Sequence, residues 1–92
     1  MELQNKVAII YGAGGSVGGT VARAFTNAGA RVFLAGRTLD SLKKVAGEIT
    51  ASGGKAETDA VDATDEDAVN HHLASVLQRA GRLDISFNLI DL

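Results

Sequence analysis

Lys6-Val7-Ala8-Ile9-Ile10-Tyr11-Gly12-Ala13-Gly14-Gly15-Ser16-Val17-Gly18-Gly19 is the stretch on which the fold turns. Its apolar part, Val7 to Tyr11, has the length of a buried strand rather than of a helix. It runs straight into glycines, and behind them a helical pattern opens. A strand that ends in glycines and opens a helix leaves several backbone N–H groups free at a helix N-terminus. The positive end of the helix dipole lies behind them, so an anion such as a pyrophosphate suits the place. The glycines allow a tight turn and let a diphosphate and the next strand approach the backbone. Glycine clusters also make ordinary turns, but a strand in front and a helix behind favour the nucleotide reading.

Around that stretch the totals describe one small domain, residues 1–92. A chain of this size buries only about 60–65% of its unfolded surface, so modest stability is expected. With 46% hydrophobic and 22% charged residues it has the make-up of an ordinary soluble globular protein. The formal net charge is −2 and the nine Lys and Arg are scattered along the chain, which carries no nucleic-acid signature. No cysteine is present, which excludes a disulfide framework and a thiolate metal site. The N-terminus lacks a cationic and apolar signal segment, and no apolar run approaches the roughly 20 residues that span a membrane. A cytoplasmic protein is the expectation.

Going on from the glycines, Val17, Val21, Phe25 and Ala28 recur at helical spacing, which predicts a helix over 16–28 stopped by Gly29. Arg31 to Ala35 reads as a second buried strand. After Gly36-Arg37-Thr38 a second helix buries Leu39, Leu42, Val45, Ala46 and Ile49, with Thr38 as its N-cap. Lys55 to Val61 alternates polar and apolar residues, as a half-exposed edge strand does. Thr64 and Asp67 have capping-box spacing ahead of a third helix, whose apolar stripe reads Val69, Leu73, Val76, Leu77 and Ala80. Leu83 to Ile90 reads as a fourth strand.

Four strands alternating with three helices predict parallel pairing and right-handed crossovers. The edge-like third strand fits the order 3-2-1-4, an α/β, Rossmann-like three-layer half-domain. The glycines then stand where strand order reverses, the place at which such sheets hold a ligand.

The glycines are Gly12, Gly14, Gly15 and Gly18, which do not spell the usual G-x-G-x-x-G. Where an NAD site normally has an acid for the ribose 2′-hydroxyl, this chain has Gly36-Arg37-Thr38. An arginine suits a 2′-phosphate and a glycine leaves room for one, so NADP is favoured over NAD. Against this, Arg37 also reads as a solvated strand-end residue. Asp62, with the Ala63 backbone alongside, suits the adenine amino group and equally suits decoration of the next helix. Adjacent helical residues point about 100° apart, so His71 and His72 cannot share a metal ion. Both are expected to be solvated.

Together these residues resemble the short-chain dehydrogenase/reductase family, over the whole chain but only the N-terminal half of a typical member. Its T-G-x-x-x-G-x-G falls on Tyr11 to Gly18, with Tyr11 for the Thr and Ser16 for the middle glycine. Its Asp at the end of strand 3 matches Asp62, and its N-N-A-G falls on Asn88-Leu89-Ile90-Asp91, matching at Asn88. The resemblance implies an NAD(P)-dependent oxidoreductase acting on a carbonyl or alcohol, with Gly12, Gly14, Gly15, Ser16, Val17, Gly18, Arg37, Thr38, Asp62, Ala63 and Asn88 around the cofactor. It also implies that the catalytic Ser, Tyr-x-x-x-Lys and a further Asn lie beyond strand 4. No catalytic or metal constellation is therefore expected in this chain, and Tyr11 sits at the glycine loop.

The leading expectation is a cofactor-binding half, present as a truncated product or fragment, that catalyses nothing alone. A stand-alone nucleotide-binding or regulatory module working through a partner chain is the alternative, and a degenerate structural remnant the third. Gly18 is expected to resist substitution more than Gly15. Strand 4, with Ile85, Phe87, Leu89 and Ile90 on it, is expected to drive self-association or to need a missing half.

Overall fold

The computed structural model describes residues 2–89. Within them β1 (Val7–Tyr11), α1 (Ser16–Asn27), β2 (Arg31–Gly36), α2 (Leu39–Ala51), β3 (Lys55–Ala60), α3 (Glu66–Ala80) and β4 (Ile85–Asn88) alternate as the patterning predicts. All strand pairs are parallel and the order is β3-β2-β1-β4. Gly12 to Gly15 follow the central strand β1, and β2 and β4 flank it.

Alternation along β1 divides the core between two sheet faces. Ala8 and Ile10 point to the face covered by α1 and α2, where Val32, Leu34, Leu42, Val45 and Ile49 meet them. Val7, Ile9 and Tyr11 point to the other face, against Phe33 and the Val76 of α3. Every residue of β1 is buried, which is why its sequence is an unbroken apolar run rather than an alternating one. β3 is half exposed along its length, as an edge strand should be. Among the described residues no helix is long and apolar enough to cross a membrane.

The buried arc of α1 lies one residue away from where hydrophobicity alone puts it, while that of α3 departs from its expected stripe at one position. α1 buries Gly18 against the turn after β1, Gly19 beside Val45 of α2 and Ala22 in the core, and Val17 is 63% exposed. The contact of Gly18 with the turn backbone fixes how α1 is rotated, so the valine lies about 100° outward and Val21 and Phe25 pack at the margin. On α3 the expected Val69, Leu73, Val76 and Ala80 all pack on the sheet side, joined by His72, and only Leu77, 48% exposed, falls outside. His71 is exposed as expected, but His72 is not solvated: it is 6% exposed, in the arc that Leu77 was expected to share.

Smaller boundary shifts have local causes. α1 ends at Asn27, β3 at Ala60, and β4 begins at Ile85, because Leu83 packs from the preceding loop against the α3 face. Thr38 occupies the N-cap of α2 without a side-chain hydrogen bond to it. α3 is capped by Asp65, which accepts from the Ala68 N–H at 3.2 Å. Thr64 is instead held by Asp62, so the expected Thr64–Asp67 capping box does not form. Ile90, also expected in strand 4, lies outside the described residues.

Parallel pairing also gathers cations that are dispersed in sequence. Lys6 precedes β1, Arg31 and Lys55 open β2 and β3, and Arg82 precedes β4. All four line an opening of about 470 Å³ at that end of the sheet. The C-termini of the helices return to the same end, where positive side chains offset the negative end of each dipole. Arg31 pairs with Glu57, and Arg82 with Asp84 at 2.7 Å.

Candidate functional site

The opposite end of the sheet carries the glycines. Tyr11 is the last residue of β1, and the chain turns at Gly12 with φ +79°, a backbone conformation a side chain would strain. The Gly12 N–H bonds to the Ala35 carbonyl at 2.9 Å, and the Ala13 N–H to the same oxygen at 3.3 Å. The loop is thus tied to the end of β2 before α1 begins. Gly18 sits under the loop: a Cβ there would fall 2.5 Å from Ala13 Cα and 2.6 Å from the Gly12 carbonyl oxygen. At Gly15 the nearest atom to such a Cβ is 3.9 Å away, so only Gly18 is required by space.

α1 starts without a side-chain cap and without an acid in its first turn. Ser16, Val17 and Gly18 are its first three residues, and their N–H groups have no acceptor four residues back within the helix. Ser16 and Val17 are exposed beside the loop, while Gly18 is buried.

A cavity of about 400 Å³ opens in front of this turn, lined by Gly12, Gly14, Gly15, Gly36, Arg37, Thr38, Val61, Ala63 and Thr64. Six of the expected residues, Gly12, Gly14, Gly15, Arg37, Thr38 and Ala63, are therefore in its wall. Asp62 stands at its rim. Ser16 and Val17 flank it and Gly18 supports it from below. Asn88 lies apart on β4, paired in register with Tyr11 of β1. Val61 and Thr64 also line the cavity without having been singled out; their place beside Asp62 is the signal that could have found them.

Arg37 and Asp62, 25 residues apart, meet at the rim. Arg37 donates from Nη2 and Nε to Asp62 Oδ1 at 3.2 and 3.3 Å, and from Nη2 to Thr64 Oγ1 at 3.3 Å. The same Oδ1 accepts from Thr64 Oγ1 at 2.6 Å and from the Thr64 N–H at 3.0 Å. Those Thr64 bonds, and after them Arg37, hold the Asp62 carboxyl below its ordinary pKa. Asp62 thus does serve the turn into α3, one of the two roles its position allowed. Arg37 remains 70% exposed.

Under the loop a buried polar chain joins β1 to α3. The Tyr11 hydroxyl lies 3.1 Å from His72 Nδ1, and His72 Nε2 lies 2.7 Å from Asp59 Oδ2. Arg79 donates to both Asp59 oxygens, at 3.3 and 2.7 Å. Burial, with the Asp59 charge behind it, raises the Tyr11 pKa and keeps the phenol protonated. Burial alone would also raise that of Asp59, but hydrogen bonds from Arg79 and His72 outweigh it and bring it below the ordinary value. A neutral imidazole with its proton on Nε2 satisfies every contact: it accepts from Tyr11 and donates to Asp59. Among the described residues no group of three or more His, Asp or Glu is arranged to hold a metal ion.

A statistical model of the family described as short chain dehydrogenase matches residues 6–88. An uncharacterized oxidoreductase of Bacillus subtilis, YxbG, is 35% identical over 87 residues, 95% of this chain and 32% of its own. A metagenomic short-chain oxidoreductase solved in complex with NADP superposes with a TM-score of 0.90 at 37% identity, covering 94% of this chain and 39% of that one. An NAD⁺-bound xylitol dehydrogenase gives 0.88 at 27% identity, covering 94% and 33%. The chain spans about a third of the length of the curated relatives it matches. A family match over residues 6–88, a span that holds the glycine loop and all four strands, leaves one conclusion: the chain belongs to the short-chain dehydrogenase family.

Proposed function

We propose that this chain is the dinucleotide-binding part of an NAD(P)-dependent oxidoreductase and that it takes NADP in preference to NAD. The observation that carries the reading is the cavity at the C-terminal ends of β1 and β2. It brings the open N-terminus of α1, a floor of glycines and the Arg37 guanidinium to one place.

The fit is chemical as well as spatial. Added Cβ atoms at Gly12, Gly14 and Gly36 would meet Leu89, Ser41 and Leu42 at 3.4, 3.1 and 3.4 Å, so the bare glycines let α2 and Leu89 pack close behind the cavity wall. Gly14, Gly15 and the first-turn amides of α1 would hold the pyrophosphate. Val61 and Ala63 offer an apolar wall to a purine, and Arg37 a cation to a 2′-phosphate. When bound, the nicotinamide gives or takes a hydride. The chain's own residues bind and orient the nucleotide, and none of them is proposed to move a proton on a substrate. Tyr11 is excluded from that role because its hydroxyl is buried against His72.

Arg37→Ala is the direct test. A charge-assisted hydrogen bond is worth roughly 1.5–3 kcal/mol, which sets the loss of NADP(H) affinity at about 10- to 100-fold. Arg37 must leave Asp62 to reach a phosphate, but an exposed, solvent-screened pair of this kind holds it only weakly. A loss nearer the lower bound is expected, with NAD(H) binding nearly unchanged. Equal losses for both cofactors in calorimetric titrations would remove Arg37 from the 2′-phosphate site.

We further propose that the chain on its own self-associates through β4. That strand pairs only with β1 among the described strands. Ile85 and Leu89 are partly buried against the α1–α2 face, and Phe87 is 38% exposed with its ring edge-on to Phe25. An apolar edge without lysine or proline invites pairing, and antiparallel pairing about a two-fold axis closes it. Light scattering over a dilution series should report a dimer dissociating. A clean monomer at high micromolar concentration would exclude it.

A further inference from the structure

We propose that Asp62 sets the degree of preference between the two cofactors by holding Arg37, and is in that sense a specificity-determining residue. The inference rests on the reading of the cavity as a dinucleotide site.

Four donors converge on one carboxylate oxygen, and they are not equivalent. The two from Thr64 are short, at 2.6 and 3.0 Å, and form a closed local turn. The two from Arg37 are long, at 3.2 and 3.3 Å, and come from a largely exposed side chain. An oxygen with two lone pairs cannot serve all four well. Thr64 keeps the carboxylate in place, and Arg37 is the partner that can leave.

The pair has opposite effects on the two ligands. Toward a 2′-phosphate, Asp62 is a competitor: it occupies the guanidinium beforehand, and its negative charge would stay close to any phosphate that Arg37 takes up. Toward a 2′-hydroxyl, the same carboxylate is no obstacle, because a neutral hydroxyl is not repelled. A preference for the phosphorylated cofactor that Arg37 alone would make large is therefore held down by Asp62.

Asp62→Asn separates these effects. The amide oxygen still accepts from Thr64, so the turn into α3 survives, while the charge is gone. Binding of NADP⁺ and NAD⁺, and of adenosine 2′,5′-bisphosphate and AMP as shorter probes, would be measured by calorimetry at low and moderate salt. Removing one negative charge beside a phosphate dianion at the surface should raise the NADP⁺-over-NAD⁺ affinity ratio about five- to tenfold, less at higher salt. The bisphosphate-over-AMP ratio should rise in parallel. Any contact of Asp62 with the adenine would weaken all four ligands together and drop out of both ratios. In Arg37→Ala/Asp62→Asn the gain should shrink to what the phosphate–carboxylate repulsion alone supplies, since the guanidinium to be released is absent. A ratio unchanged or lowered by Asp62→Asn, with nucleotides still binding, would overturn the proposal and leave the cavity reading standing. Failure of the unsubstituted chain to bind any of the four would overturn both.

Discussion

Gly18→Val should yield a chain with a melting temperature lower by some 12–20 °C and no measurable dinucleotide binding. The reason is space, not backbone conformation, because Gly18 lies inside α1 at helical dihedrals. A Cβ there would sit 2.5 Å from Ala13 Cα and 2.9 Å from its carbonyl carbon. These are backbone atoms of the turn after β1, which the bonds to Ala35 fasten to β2. They cannot swing aside as the end of a lysine could, so either α1 lifts from the sheet or the loop unseats. Overpacking of a tight site costs roughly 1–3 kcal/mol, and a β-branched side chain against backbone belongs at the upper end. For a domain of this size each kcal/mol is worth about 4–8 °C. Gly15→Ala is the matched control: its Cβ would meet nothing nearer than 3.9 Å, and its melt should stay within a few degrees of the parent. Thermal melts by circular dichroism and NADP titrations check both. A Gly18→Val chain that melted and bound like the parent would mean that the loop and helix do not pack in this register.

Much of this was open to reading in one dimension, and for a physical reason. A strand buried on both faces must be an unbroken apolar run, and Val7 to Tyr11 is one. Lys55 to Ala60, at an edge, must not be. The sheet order followed from that contrast, and the cavity followed from the order. What could not be read was the choice between adjacent residues on a helix. Hydrophobicity nominates Val17, but the turn after β1 lies so close to α1 that Gly18 must face it, and Val17 is carried outward. It nominates Leu77, yet α3 turns the His72–Val76 arc inward because Tyr11 offers His72 a hydroxyl from across the sheet. The partner lies 61 residues away in the chain, and no local pattern announces it. The Arg37–Asp62 pair escaped for the same reason: each residue was noticed alone, but only the β2–β3 register brings them together.

His72→Leu should cost about 2–4 kcal/mol, although on its sequence the residue reads as a solvated histidine. The substitution leaves the Tyr11 hydroxyl, on a side chain that is 2% exposed, without its partner. An orphaned buried hydroxyl costs roughly 1–3 kcal/mol, and the bond to Asp59 is lost as well. Tyr11→Phe should cost less, about 1–2 kcal/mol, because it strands only one imidazole nitrogen. The informative case is Tyr11→Phe/His72→Leu. With both polar partners replaced by apolar groups of similar volume, nothing buried is left unsatisfied between them. The double variant should therefore be clearly more stable than the sum of the single losses. Acid sensitivity carries a second signature. Asp59 has a lowered pKa in the fold, so its contribution is complete above the ordinary value of 3.8 and is lost as the pH falls through the lower folded value. Without His72 the folded pKa moves back toward 3.8, and the stability lost as the pH falls from about 3.8 through the folded value should shrink while Arg79 preserves part of it. Denaturant melts of the four proteins across that range read both effects. Additive single losses, or a His72→Leu chain as stable as the parent, would mean that the imidazole does not bridge Tyr11 and Asp59.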